Sequence, residues 1–99
     1  ADRQWRLAPA YDLTYSTGPN GQHYLAVNGE ATDVSADAVR AVSEALDVKP
    51  RRLAALVGPV VDAVGRFKEF AGHYGVSRRT AGEVQRALAP GISRIVRLA

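Results

Sequence analysis

The sequence has 99 residues, 46% of them hydrophobic, and its 13 Lys and Arg against 10 Asp and Glu give a formal net charge of +3. This length fits one small domain, and the composition is that of a folded chain rather than a disordered one. The absence of cysteine excludes a disulfide scaffold, a cysteine-based zinc site and a thiol nucleophile. No apolar run approaches the roughly 18–20 residues of a membrane span, and the charge is too mild for a strong nucleic-acid binder.

The first third of the chain is patterned as two strands joined by turns. Residues 4–8 alternate apolar and polar side chains around the single Trp5, and Pro9 ends this predicted strand because it has no N–H to donate. A second strand is predicted over 22–27, preceded by a dense run of turn residues and followed by an Asn-Gly turn. Two strands are not stable alone, so we expect the hairpin to pack on the following helices or on strands outside this sequence.

The remainder of the chain has the apolar spacing of helices. Ser35 is a predicted N-cap, and Pro50 suits the first turn of a second helix. In that helix apolar residues recur at steps of three and four as far as Tyr74. Gly75 is expected to stop it, and Ser77 is expected to cap a further helix.

Two proline–glycine pairs are expected to interrupt these helices. Proline removes one intrahelical hydrogen bond and clashes with the preceding turn, so the pairs at 58–59 and 90–91 predict kinks or breaks. The predicted fold class is therefore α+β, as a single domain over 1–99. It consists of an N-terminal β-hairpin over 1–31 and a small, mostly helical bundle over 32–99.

Few residues suggest chemistry. The sequence contains no glycine-rich phosphate-binding motif, and its two histidines, His23 and His73, lie in different predicted elements and do not form a cluster of metal ligands. Asp12 follows the strand that Pro9 ends, where a loop can present its carboxylate to a cleft. Such a carboxylate suits a Mg²⁺ ligand when phosphates supply further oxygens, and it equally suits a cap for the following turn.

Two arginine pairs lie near predicted helix starts, where the helix dipole disfavours positive charge. They are Arg51 with Arg52 and Arg78 with Arg79. Solvated polar faces explain them without any partner. Clustered in space, they would instead contact phosphates, which makes them candidates for nucleic-acid or partner contact.

Residues 5–13 read Trp-Arg-Leu-Ala-Pro-Ala-Tyr-Asp-Leu. This stretch resembles the motif W-x-L-(A/S/T)-P-x-Y-D-(L/I) of HipA-like serine/threonine kinases, the bacterial toxins of HipA/HipB toxin–antitoxin modules. Residues 21–30 are similar to the second strand and Asn-Gly turn of that family's C-terminal lobe, and the helical remainder is similar to its closing bundle. The resemblance covers nearly the whole chain, and its specificity comes mainly from the Pro-x-Tyr-Asp stretch.

The resemblance assigns one metal ligand. In that family the Asp of Tyr-Asp plays the part of the kinase DFG aspartate, so it implies that Asp12 binds the Mg²⁺ that bridges ATP phosphates. The family's catalytic loop and phosphate-binding loop do not occur in this sequence. We therefore expect a C-terminal fragment or truncated form of an ATP-dependent kinase (a transferase). Alone, it is expected to have no catalytic residue, no cofactor and no activity.

Partners follow from the same resemblance. We expect the missing N-terminal kinase portion or a HipB-like antitoxin, with indirect DNA contact through that antitoxin, in the cytoplasm and with no membrane partner. The abrupt start at Ala1 leads us to expect a cut or processed piece whose exposed hairpin edge causes homodimerisation or aggregation. The alternative is a stand-alone protein-binding module that recognises an antitoxin or a kinase. A third reading is a structural relic without activity.

Overall fold

The computed structural model describes residues 3–11 and 13–99. Its elements are α1 (Ala36–Ala45), α2 (Pro50–Gly65), α3 (Phe67–His73) and α4 (Arg78–Ile95), with 3-10 turns at Pro19–Gly21 and Val96–Leu98. Within the described ranges the chain forms no strand, and its β pairing there is limited to one antiparallel bridge between Val27 and Glu30. The described part of the protein is therefore a small helical domain preceded by a long irregular segment.

The predicted α+β fold with a β-hairpin over 1–31 is wrong. The Asn-Gly turn itself forms as predicted, because Asn28 and Gly29 both have positive φ, 49° and 86°. The N–H of Val27 donates to the carbonyl of Glu30 at 2.9 Å, and the reverse bond is 3.0 Å. This is the geometry of a two-residue hairpin loop.

The hairpin does not extend because its returning arm is too short. After Glu30, one further backbone bond joins the N–H of His23 to the carbonyl of Ala31 at 2.8 Å. Asp33 then takes a positive φ of 48°, and Ser35 is already the N-cap of α1. The residues that a second strand would need instead form the turn that leads into α1. Residues 22–27 are therefore left without a partner strand.

Both predicted N-caps are confirmed. The Ser35 hydroxyl accepts the N–H of Ala38 at 3.0 Å, and the Ser77 hydroxyl accepts the N–H of Thr80 at 3.2 Å. The carboxylate of Glu30 accepts both the N–H and the hydroxyl of Ser35, at 2.7 and 3.0 Å. These bonds fix the entry of the irregular segment into α1.

The helices do not break at the prolines, so of the two predicted outcomes, a kink or a break, the break is wrong. A kink stays a prediction. The second helix continues through Pro59 to Gly65, and the fourth continues through Pro90 to Ile95. Both prolines are exposed, so water can solvate the backbone carbonyls that lose their intrahelical donor. The helical chain is interrupted instead at Arg66, whose φ of −97° and ψ of 15° separate α2 from α3.

The hydrophobic core is small. Its buried members are Ala36, Val57 and Leu98, from α1, α2 and the C-terminal 3-10 turn, with Val39, Leu53, Val61 and Ile95 packed against them. A second contact joins α3 to α4, where Ala71 and Ala81 are buried. Because the buried side chains are mostly alanine and valine, the packing leaves larger apolar residues at the surface.

The exposed area of the protein is unusually large for its length. The accessible surface is 8210 Å², whereas a folded monomer of this mass exposes about 5,500 Å². The radius of gyration is 15.6 Å, against about 13 Å for a compact domain of this length. Large apolar surfaces on a folded chain mark sites of interaction, so we sought the functional site among them.

Candidate interaction surfaces

The first candidate surface is the N-terminal apolar segment, which we define by Trp5, Leu7, Tyr11 and Leu13. These side chains belong to no helix or strand, and Trp5 and Leu7 are essentially fully exposed. Fully burying side chains of this kind is worth about 1.5–3 kcal/mol each. The segment therefore presents large apolar groups that the described helices do not cover.

Asp12, the predicted Mg²⁺ ligand, lies outside the described residues, so its role as a metal ligand stays a prediction. Within residues 3–11 and 13–99, no three His, Asp or Glu side chains are grouped closely enough to hold a metal ion. Its chain neighbours Tyr11 and Leu13 are exposed.

The predicted arginine pairs do not form one patch. Both pairs are exposed, with 51–52 in the first turn of α2 and 78–79 in the first turn of α4. Leu53 packs against the core that contains Leu98, so the start of α2 lies beside the C-terminal end of α4. The pairs are therefore separated by approximately the length of α4, about 27 Å for its 18 residues.

The pair at the start of α4 has local partners. Arg79 contacts Glu83 one turn later at 3.3 Å, with both side chains largely exposed. Arg78 and Lys68 border a shallow cavity whose remaining lining is Gly72, Val76 and Ala81. The cavity thus has two positively charged side chains beside apolar walls. Among the described residues, no buried polar group is directed into it.

Sequence reasoning missed a group of ion pairs. It joins α1 and the loop before it to the C-terminal end of α4 and the 3-10 turn that follows. Asp37 lies 2.6 Å from Arg40 and 3.7 Å from Arg97. Arg94 lies 3.5 Å from Asp33 and donates to the carbonyl of Val34 at 3.1 Å. Only the Asp37–Arg40 pair has a spacing that the sequence could have indicated, because the others join residues about 60 positions apart.

The second candidate surface is an apolar groove between α1 and α2, closed on one side by the loop before α1. Its cavity has a volume of about 220 Å³. Its one polar lining residue is Ser43, whose hydroxyl already donates to the carbonyl of Arg40 at 2.7 Å. We define the groove face by four residues that line this cavity: Val27 of the loop before α1, Val42 and Leu46 of α1, and Leu56 of α2.

The groove face corrects part of the predicted core. The helical spacing predicts that Val42, Leu46 and Leu56 point into the bundle. In the structure they are 36%, 70% and 48% exposed. The periodicity correctly places them on apolar helix faces, but α1 and α2 leave these faces open toward solvent.

The joint between α2 and α3 contains the best-formed ion pair. Arg66 binds Glu69 with two hydrogen bonds, Nε to Oε2 at 3.1 Å and Nη2 to Oε1 at 2.9 Å. The Arg66 guanidinium also lies 5.1 Å from the centre of the Phe70 ring. Hydrogen bonding from Arg66, and then its charge, lowers the pKa of Glu69, while the same interactions raise the pKa of Arg66.

Comparisons with known protein families, with curated proteins and with solved structures find no match for this chain. Among the helices of the described residues, none combines the length and the apolar character that crossing a bilayer requires. The features of this chain that bear on function are therefore the motif around Asp12 and the two exposed apolar surfaces.

Proposed function

We propose that this chain is the C-terminal, non-catalytic part of a cytoplasmic HipA-like serine/threonine kinase and is inactive without the rest of the kinase. The observation that carries the proposal is the exposure of the N-terminal apolar segment. Trp5 and Leu7 belong to the motif that resembles this family, and both are essentially fully exposed. If the motif packs in the interior of a complete kinase, its apolar side chains are exposed when the residues that cover them belong to another part of that kinase.

The proposed inactivity follows from the chemistry of phosphoryl transfer. Catalysis there consists almost entirely of positioning and charge stabilisation by a phosphate cradle, metal ions and a base. The resemblance supplies only Asp12, as one ligand to Mg²⁺. In the complete kinase, the bound Mg²⁺ would neutralise charge on the ATP phosphates, and Asp12 would hold that ion in place.

The test begins with the native gene product, sized in source-cell lysate with an antibody against residues 77–99. If the product is a longer kinase, Asp12→Asn in that full protein should lower phosphoryl transfer about a hundredfold or more, because a metal contributes several kcal/mol of charge stabilisation. The matched control is Asp62→Asn, an exposed carboxylate on α2, which should leave transfer unchanged.

Two results would contradict the kinase proposal. One is a native product no longer than this sequence. The other is a longer product in which Asp12→Asn transfers phosphate as fast as the unmodified enzyme. In either case the motif around Asp12 would serve the local turn rather than the metal.

A second candidate function is a stand-alone module that binds a HipB-like antitoxin, with DNA held nearby. It rests on the exposure of both arginine pairs. Because Arg51 and Arg52 lie at one end of the domain and Arg78 and Arg79 at the other, each pair would contact phosphates separately. Phosphate contacts release counterions, so such binding should weaken steeply with salt and with Arg→Glu changes at either pair. Binding insensitive to both would exclude a role for these arginines.

A further inference from the structure

The irregular segment before α1 contains two Asn-Gly pairs, Asn20-Gly21 and Asn28-Gly29. Both asparagines are exposed and lie in turns, and both have positive φ, 54° and 49°. In such pairs asparagine converts readily to aspartate, because glycine has no Cβ to hinder attack by its own nitrogen. We propose that Asn20 is a site of spontaneous deamidation, with water as the co-reactant, and that the turn at 28–29 protects Asn28 from the same reaction.

The reaction uses only the chain itself and water. The backbone nitrogen of Gly21 attacks the side-chain amide carbon of Asn20, so that a new C–N bond forms and the bond from that carbon to the amide nitrogen breaks. The amide nitrogen leaves as ammonia and takes up the proton that the nitrogen of Gly21 loses. Water then opens the resulting succinimide ring at either of its two carbonyls, which yields aspartate or isoaspartate.

Backbone geometry decides whether the ring can close. Closure requires the nitrogen of Gly21 to lie on the same side of the Cα–C bond of Asn20 as the Cβ of that residue. The ψ of Asn20 is 29°, which turns this nitrogen toward the backbone nitrogen of Asn20 and away from its Cβ. The turn at Asn28 has the φ values of a type I′ turn, in which ψ at this position is also about 30°. Each asparagine therefore reacts only when its turn opens.

The turn around Asn28 is held closed by short hydrogen bonds. Val27 and Glu30 exchange two backbone bonds across it, of 2.9 and 3.0 Å. The carboxylate of Glu30 is itself fixed at the start of α1, where it accepts the N–H and the hydroxyl of Ser35 at 2.7 and 3.0 Å. These two bonds are partly buried, where a hydrogen bond left unmade costs most. Opening this turn therefore breaks several bonds at once.

The turn around Asn20 is held less firmly. The bond from the N–H of Gly21 to the carbonyl of Gly18 is 3.4 Å long, beyond the usual range for such a bond. The N–H of Gly18 donates to the hydroxyl of Ser16 at 3.2 Å, at an exposed site. Segments held by weak, solvent-exposed hydrogen bonds open most often. In the folded chain, Asn20 should therefore deamidate about tenfold faster than Asn28.

Deamidation at Asn20 would alter the connection between the N-terminal apolar segment and the helices. The turn lies between Leu13, the last residue of that segment, and α1. The product carries a new negative charge, and isoaspartate also lengthens the backbone by one carbon. The change is slow and runs in one direction. It involves neither Asp12 nor a kinase partner, so failure of this proposal and failure of the kinase proposal are distinguishable.

The test is incubation of the full chain at neutral pH in water enriched in a heavy oxygen isotope, followed by peptide mapping with mass spectrometry. Each deamidation replaces the amide nitrogen with an oxygen atom from the solvent, so the label identifies the residue that has reacted. We expect label to accumulate at Asn20 about tenfold faster than at Asn28. In urea both turns are open, so both rates should rise and the difference between them should largely disappear.

A pair of variants tests the cause of the protection at Asn28. Glu30→Ala removes both hydrogen bonds to Ser35 and should raise the deamidation rate of Asn28 about fivefold, while the rate of Asn20 stays unchanged. The matched control is Glu44→Ala, at an exposed position on α1, which should change neither rate. Circular dichroism of each variant verifies that the helices are retained.

Three outcomes would overturn the proposal. The first is a deamidation rate of Asn28 in the folded chain that equals or exceeds the rate of Asn20. The second is a ratio of the two rates that stays the same in urea, which would show that neighbouring residues in the sequence set it rather than the turns. The third is an Asn20 that remains intact in the folded chain over a period in which the unfolded chain reacts completely.

Discussion

At the scale of single residues, the ends of α1 and α3 show the same backbone motif built with different residues. At the end of α3, Gly75 has a φ of 78°, and the N–H of Val76 donates to the carbonyl of Ala71 at 2.9 Å. At the end of α1, Asp47 has a φ of 55°, and the N–H of Val48 donates to the carbonyl of Ser43, again five residues earlier, at 2.7 Å. Both are Schellman motifs, for which glycine is preferred because it lacks a Cβ.

We therefore predict that Asp47→Gly stabilises the protein by about 1 kcal/mol, through relief of the left-handed conformation. The ion pair with Lys49 that the change removes is largely exposed and contributes little. The reciprocal variant, Gly75→Asp, should destabilise the protein by a similar amount. The space for its Cβ is open, so the change affects only the free energy of the left-handed backbone conformation. Urea unfolding of the three proteins measures both effects. A lower midpoint for Asp47→Gly would show that the aspartate side chain stabilises the motif.

At the scale of elements, the features that sequence predicted correctly are those decided within one turn of chain. Ser35 and Ser77 cap helices because a hydroxyl reaches an N–H three residues later. Gly75 ends α3 because of its own backbone freedom. The break predicted at Pro59 does not form because the cost of an internal proline depends on whether the affected backbone is solvated, and this is decided by which helix face the fold exposes.

The candidate surfaces were less predictable because they depend on contacts distant in sequence. The spacing of Val42 and Leu46 identifies an apolar face of α1 but not whether another element covers it. The same limit explains why the hairpin prediction failed. The turn at 28–29 is decided locally, whereas the backbone hydrogen bonds of a hairpin need a returning strand. The motif around Asp12 is visible in the sequence, but its metal-binding role depends on which other ligands the fold brings beside it, and sequence spacing does not specify these.

The joint between α2 and α3 predicts a pH dependence at this scale. Because folding lowers the pKa of Glu69 below its usual 4.5, the stabilisation by Arg66 is present above that value and is lost as pH falls through the lowered pKa. Glu69→Gln should therefore melt at a lower temperature than the unmodified chain at pH 7, with the difference disappearing in acid. Thermal melting monitored by circular dichroism between about pH 7 and pH 3 follows this change.

The control for this prediction is Glu44→Gln, which changes an exposed glutamate on α1. It should have no comparable effect on the melting temperature at neutral pH. A difference between Glu69→Gln and the unmodified chain that persists undiminished at pH 3 would show that the glutamine alters helix packing rather than removing an ion pair. Both side chains of the Arg66–Glu69 pair are at least half exposed, so the difference should also decrease with added salt.

At the scale of the whole molecule, the exposed area limits how strongly the isolated chain resists unfolding. An unfolded chain of 10.6 kDa exposes about 15,400 Å². Folding to 8210 Å² thus buries about 7,000 Å², whereas a compact domain of the same mass buries roughly 10,000 Å². Because the urea m-value scales with the area exposed on unfolding, we predict an m-value about 30% below that of compact domains of this length.

The low m-value is a property of the single chain, so it should be measured in dilute solution. Association through exposed apolar surface would add interface to the area that unfolding exposes and would raise both the m-value and the unfolding midpoint. Urea titrations at two protein concentrations separate the two effects, and the prediction applies to the lower concentration. A normal m-value in dilute solution would mean that the N-terminal apolar segment folds onto the helices of its own chain.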